Sequence, residues 1–150
     1  MIINIIDKNR FKISEGRVIF YNELTNRSFG ELIHNNYSFK IGWNSQLIDL
    51  KTIQIAPDIY ALGIDQDFAI IDFNKGEILL KLELFYTFYD IKLHNQEIYI
   101  CTELEVLVLN KLNYNILKKI GLLEFFEDLS FEGNTIIIKC IDNVTIKSKI

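Results

Sequence analysis

The chain has 150 residues and a formal charge of −4, and 49% of its residues are apolar. This length suits one domain over residues 1–150, and the apolar content excludes a disordered chain. The acidic balance argues against a nucleic-acid partner, because phosphate contacts need clustered Lys and Arg.

Apolar runs along the chain are short. None approaches the eighteen or so residues that a membrane-spanning helix requires, and residues 1–6 lack the basic start of a secretory signal. We therefore expect a cytoplasmic protein with no membrane partner.

The first third of the chain has the least regular pattern. Residues 14–20 resemble residues 131–137, which indicates a degenerate first copy of a repeat over about residues 11–50. Residues 29–35 fit either a strand or a helical turn, and residues 37–43 alternate in the manner of a strand.

From residue 51 onward, apolar runs of five to seven residues alternate with turn residues. The runs are rich in Ile, Val, Tyr and Phe, and Asn, Asp and Gly separate them. This pattern predicts strands joined by hairpins. The predicted strands are residues 59–64, 68–73, 78–84, 97–102, 106–110, 116–122, 135–141 and 144–150.

The second part of the chain repeats itself. The pattern of residues 68–84 returns without a gap in residues 106–122, which is a spacing of 38 residues. A fixed period of this size indicates one supersecondary unit that is repeated and stacked. We predict copies at 51–88, 89–126 and 127–150, of which the last lacks its outer strand and is completed by residues 1–6.

Repeats of about forty residues, each a meander of short strands, resemble β-propeller blades of the WD-repeat and quinoprotein-like kind. The resemblance implies an all-β fold of repeated antiparallel meanders in a small or partial propeller-like arrangement. A β-sandwich, a meander barrel and an open arc that dimerises are the alternatives.

Residues that could carry chemistry are few. His34 and His94 lie beside no Cys, Asp or Glu at metal-ligand spacing, and no phosphate-binding loop or nucleophile motif occurs. We expect no cofactor, no metal and no enzymatic activity. In the repeat register Cys101 and Cys140 fall on opposite faces of equivalent strands, so we expect buried, reduced thiols without a disulfide.

The repeat register predicts one candidate binding surface. Loops between the second and third strand of each copy should lie on one face, and the connections between copies should approach it with aromatic side chains. The residues are Asp65, Asp67, Glu103, Glu105, Asp142, Tyr86, Tyr89 and Phe125. Acidic and aromatic side chains together suit a basic protein partner. The alternative interpretation is ordinary turn chemistry with aromatic residues in the core.

A small, acidic, non-catalytic β protein of this kind resembles the immunity proteins that bacteria encode against contact-delivered toxins. The resemblance implies that the acidic and aromatic face masks the basic active site of a toxin domain. One alternative is a carbohydrate-binding or carbohydrate-active propeller that stacks sugars on Trp43, Tyr86 and Tyr89. Another is an assembly subunit that forms a homo-oligomer, such as a homodimer through strand edges.

Overall fold

A computed structural model describes all of residues 1–150 and shows an all-β protein with one short helix. The elements are β1 (Ile2–Ile6), α1 (Lys8–Ile13), β2 (Arg17–Phe20), β3 (Ser28–His34), β4 (Tyr37–Trp43), β5 (Lys51–Ala56), β6 (Ile59–Ile64), β7 (Asp67–Asp72), β8 (Glu77–Glu83), β9 (Phe88–His94), β10 (Glu97–Thr102), β11 (Glu105–Asn110), β12 (Ile116–Gly121), β13 (Phe126–Glu132), β14 (Thr135–Cys140), a 3-10 turn (Ile141–Asn143) and β15 (Thr145–Lys149). No helix has the length and apolar content to cross a membrane.

Repeated meanders form most of the fold. Strands β5-β6-β7-β8 make one antiparallel sheet and β9-β10-β11-β12 make the next. The second strands of successive copies begin at Ile59, Glu97 and Thr135, each 38 residues after the one before. The spacing found in the sequence is therefore the spacing of structural units, and the prediction of repeated antiparallel meanders is confirmed.

Left-handed turn residues close several of the hairpins. Asn35, Asp65, Asn95 and Gly133 have φ between 51° and 55°, and each begins a two-residue turn between antiparallel strands. Asn, Asp and Gly tolerate this backbone conformation best, because a short polar side chain or no side chain relieves the steric conflict. The sequence thus selects the turns as well as the strands.

The first sheet departs from the meander pattern. Its strand order is β1-β3-β4-β2, and β2 runs parallel to β4. Residues 1–6 were expected to complete the last copy, and this expectation is wrong: β1 pairs with β3, and the last sheet has only the strands β13-β14-β15. A partner strand close along the chain costs less loop entropy than a distant one, which favours this pairing.

The chain forms two compact units, Met1–Glu83 and Leu84–Ile150. The first unit has a core shared by its two sheets, and this core includes Phe39, Ile41 and Leu62. The second unit likewise packs β10 and β11 against β13 and β14. The prediction that residues 1–150 form one domain stays a prediction.

The two cysteines share the core of the second unit. Cys101 and Cys140 are both buried and form no disulfide, yet they belong to the same cluster of packed side chains. The prediction of buried thiols without a disulfide is confirmed, and the shared cluster adds that the two side chains lie in one core. When one sheet packs on the next, opposite faces of equivalent strands are the faces that meet.

We predict that neither thiol reacts with a chromogenic disulfide reagent while the protein is folded. Burial raises the pKa of the Cys140 thiol, which lowers the fraction of reactive thiolate, and Cys101 is fully buried. The denatured chain provides the control and should titrate both thiols. Rapid reaction of either thiol in native buffer would contradict the core assignment.

Candidate functional site

Loops at one end of the second unit are held together by backbone hydrogen bonds. We call residues 84–87, 103–105, 122–125 and 141–144 the loop end. The bonds run from Glu103 N–H to the Thr87 carbonyl (2.8 Å), Phe126 N–H to the Glu103 carbonyl (2.9 Å), Leu122 N–H to the Leu104 carbonyl (2.9 Å) and Ile141 N–H to the Phe125 carbonyl (2.9 Å). The second unit therefore gathers its between-strand loops and its between-sheet connections into one place.

Large apolar side chains of the loop end face solvent. Phe85 is 81% exposed and Leu123 is 85% exposed, while Phe125 and Ile141 are about half as exposed. The Phe85 and Tyr86 rings meet edge to face with centroids 5.0 Å apart. Apolar residues that cluster on the surface are typical of interaction sites.

Acidic residues accompany these apolar side chains. Glu103, Glu105, Glu124 and Asp142 belong to the loop end, which contains no Lys or Arg. Asp142 is exposed and takes a left-handed conformation with φ 57°. The loop end therefore presents negative charge that no basic residue of its own offsets.

Tyr89 has a different environment from its neighbours. Its ring stacks on Phe126 at a centroid distance of 6.5 Å, and it packs against the core of the second unit. Tyr89 thus contributes mainly to the core, as the alternative interpretation of the aromatic residues had it. The predicted residues that the loop end brings together are Glu103, Glu105, Asp142, Tyr86 and Phe125.

Asp65 and Asp67 lie in the first unit, at the turn between β6 and β7. The Asp65 carboxylate accepts the backbone N–H of Asn44 (2.6 Å) and that of Ser45 (2.8 Å), which fixes the connection between β4 and β5. Burial raises the pKa of Asp67, and the charge of Lys81 opposes that shift. Asp65 therefore has a structural role that is sufficient to explain its presence.

Phe85, Leu123 and Ile141 are not among the residues predicted for this surface, although the connections that contain Phe85 and Leu123 were expected to approach it. Leu122 is buried and Leu123 is exposed, although the two are adjacent leucines after the same strand. Phe85 and Leu123 lie in connections between predicted strands, where an apolar residue has no regular face to occupy. Ile141 was predicted as the last residue of a strand, whereas β14 ends at Cys140.

Trp43 belongs to the core of the first unit. Its side chain is only 8% exposed, and its ring lies close over Gly30, where a Cβ atom would come within 3.1 Å of it. Trp43 also lines a cavity of about 280 Å³ together with Ile3, Ile5 and Leu50. Its ring faces are therefore largely covered.

The two histidines have structural partners. His34 Nε2 lies 2.8 Å from Asp58 Oδ1, and this hydrogen bond lowers the pKa of Asp58. The His94 ring stacks on Phe131 at 4.1 Å. No three His, Cys, Asp or Glu side chains cluster in a way that could hold a metal ion.

Comparison with known proteins shows the fold. No protein-family profile and no curated protein matches the sequence. The designed protein Ika4 is similar with a TM-score of 0.58 and 12% identity, over 91% of this chain and 93% of its own. The designed Ika8 has a TM-score of 0.57 and 15% identity, over 73% of this chain. Sqt1 of Saccharomyces cerevisiae has a TM-score of 0.57 and 15% identity, over 83% of this chain.

These similar structures are β-propellers, so the fold is all-β and propeller-like rather than a sandwich or a meander barrel. The chain spans 36% of the length of Ika8 and 42% of that of Sqt1. At this level of identity the likeness concerns the fold alone.

We predict that Asp65→Asn lowers the free energy of unfolding by about 1 kcal/mol, because one charged acceptor of two backbone N–H groups is lost. Asn still tolerates the left-handed backbone at this position. Urea denaturation measures the effect, and Asp49→Asn, an exposed residue with the same charge change, is the control. Equal stability of the Asp65→Asn variant and the wild type would contradict a stabilising role for the hydrogen bonds that Asp65 accepts.

Proposed function

We propose that the chain is a protein-binding module and that the loop end of the second unit is its contact surface. The observation that carries this proposal is the exposure of Phe85, Leu123 and Phe125 beside carboxylates with no basic residue among them. Propeller-like folds commonly mediate protein binding, and they do so through the loops that the scaffold holds.

Apolar anchors would supply most of the affinity. Burying an exposed Phe or Leu side chain is worth roughly 1.5–3 kcal/mol, so two such anchors are a large part of a micromolar interaction of about 8 kcal/mol. The backbone hydrogen bonds that join the loops limit the ordering cost on binding, because the loops are already held in place.

Carboxylates at the loop end would select and attract the partner. Glu103, Glu124 and Asp142 favour a basic surface and disfavour an acidic one, which gives specificity and speeds association. We infer that the partner is a toxin domain with a basic active site, such as that of a nuclease, and that the chain acts as an immunity protein by covering that site. The mechanism is steric and needs no catalytic group.

The carbohydrate alternative receives less support. Of the three aromatic residues suggested for sugar stacking, Trp43 is mostly covered and Tyr89 packs against the core. Tyr86 alone lies in the loop end, and it is partly buried there. A sugar-binding site would need at least one open ring face beside hydrogen-bonding groups.

Binding to basic toxin domains encoded beside this gene tests the proposal. We expect a one-to-one complex by isothermal titration calorimetry, weakened about tenfold or more by Leu123→Ser, because a central apolar anchor is lost. The control is Leu112→Ser, since Leu112 is also largely exposed but lies in the turn between β11 and β12. Equal effects of the two substitutions would contradict a contact surface at the loop end.

A charge variant tests the steering role separately. We predict that Glu103→Gln combined with Asp142→Asn slows association several-fold at low salt and changes dissociation little. The difference should shrink above about 0.5 M salt, where screening is strong. Glu132→Gln, at an exposed site outside the loop end, is the control in stopped-flow measurements. An association rate that is independent of both salt and charge would exclude steering.

A further inference from the structure

Strand β1 forms an outer edge of the first sheet. It pairs with β3 alone, through Ile2↔Ile33 to Ile6↔Phe29, and stands at the end of the strand order. Its side chains are unusually exposed for isoleucine: Ile2 is 63%, Ile3 is 37% and Ile5 is 71% exposed. An apolar strand with one unoccupied edge is a template for another strand.

Charge distinguishes β1 from the other strands at sheet ends. The strands β2, β5, β8, β9, β12, β13 and β15 also stand at the ends of their sheets, and each contains at least one charged residue. Strand β1 contains none and has no proline. Charged residues and proline are the usual protection of an edge against pairing, so β1 lacks a protection that every comparable strand has.

The sequence of β1 is symmetric about its centre. Ile2-Ile3-Asn4-Ile5-Ile6 reads the same in both directions. If two copies of this strand run antiparallel around Asn4, Ile2 of one copy lies opposite Ile6 of the other, Ile3 opposite Ile5, and Asn4 opposite Asn4. Every position then meets an identical residue type, which is the requirement of an interface with two-fold symmetry.

We propose that β1 pairs with β1 of a second copy of this chain and forms a homodimer about a two-fold axis through Asn4. Strand β1 itself carries no charge that would oppose this approach, and the two Asn4 amides can donate to and accept from each other across the axis. Pairing occupies the open edge of both copies, so assembly stops at two.

A cavity next to the strand adds apolar contact area. Its apolar lining is Ile3, Ile5, Trp43, Ile48 and Leu50, and Ser45, Gln46 and Asp49 also border it. In the antiparallel register, Ile3 and Ile5 of both copies form one cluster on this face of the joined sheets. Two paired strands of five residues bury less area than the roughly 1,200–2,000 Å² of a standard interface. We therefore expect a dimer that dissociates on dilution.

Sedimentation velocity over a concentration series of the full chain, tagged at its C-terminus, tests the proposal. The wild type should approach twice the 17.6 kDa of one chain as its concentration rises to about 1 mM. Asn4→Lys and Asn4→Asp should each be monomeric, because like charges then face each other on the axis. An equimolar mixture of the two variants should restore the dimer.

Ile13→Lys is the matched control, because Ile13 is 82% exposed in the same unit but lies outside the strand. This variant should dimerise as the wild type does, and circular dichroism melts establish that each variant is folded. A wild type that stays monomeric overturns the proposal, and so does dimerisation of folded Asn4→Lys alone. If the mixture of Asn4→Lys and Asn4→Asp stays monomeric, the antiparallel pairing centred on Asn4 is wrong.

The proposed dimer does not depend on the function proposed for the loop end. Each proposal can therefore be disproved without the other. Leu123→Ser should leave the sedimentation of the wild type unchanged, and Asn4→Lys should leave toxin-domain binding unchanged. If Leu123→Ser also abolished the dimer, the loop end rather than β1 would be the interface between copies.

Discussion

Burial of the central strands on both faces is the constraint on which this structure depends. All residues from Phe68 to Asp72 in β7 and from Ile98 to Thr102 in β10 are buried, so these strands show continuous apolar runs instead of alternation. Such strands are stable only when other side chains cover both faces of their sheet. Since the sheet faces are occupied by packing, the surfaces that remain for partners are the loops and the outer strands.

These two kinds of surface differ in chemistry here. The loop end of the second unit combines Phe85 and Leu123 with carboxylates, which suits a partner of opposite charge. The β1 edge is apolar and uncharged, which suits a copy of itself. The contrast follows from geometry, because a loop presents side chains of any type to solvent, whereas an edge strand also presents backbone donors and acceptors in a row.

The sequence predicted those parts of the fold that local pattern determines. The 38-residue spacing located the last three strands of the second and third sheets, whereas their first strands, β5 and β9, were not predicted. The turn residues Asn95 and Gly133 close hairpins of the third and the last sheet. The parallel pairing of β2 and the place of β1 were missed, because both depend on which distant strand offers a free edge. Helix α1 has a recognisable start in Asp7, whose side chain accepts the Arg10 N–H, but six residues were too few for a periodic pattern. The candidate surface was predicted in outline, whereas the burial of Tyr89 and the exposure of Phe85 are decided by packing.

Native-state hydrogen exchange at a concentration where the protein is monomeric tests the two-sided burial most directly. We expect the slowest amides in β6, β7, β10, β11 and β14, and we expect β1, β12, β15 and the loop end to exchange faster by orders of magnitude. Amides of β1 or the loop end that exchange as slowly as those of β7 and β10 would contradict this expectation, because the surfaces assigned to partners would then belong to the core.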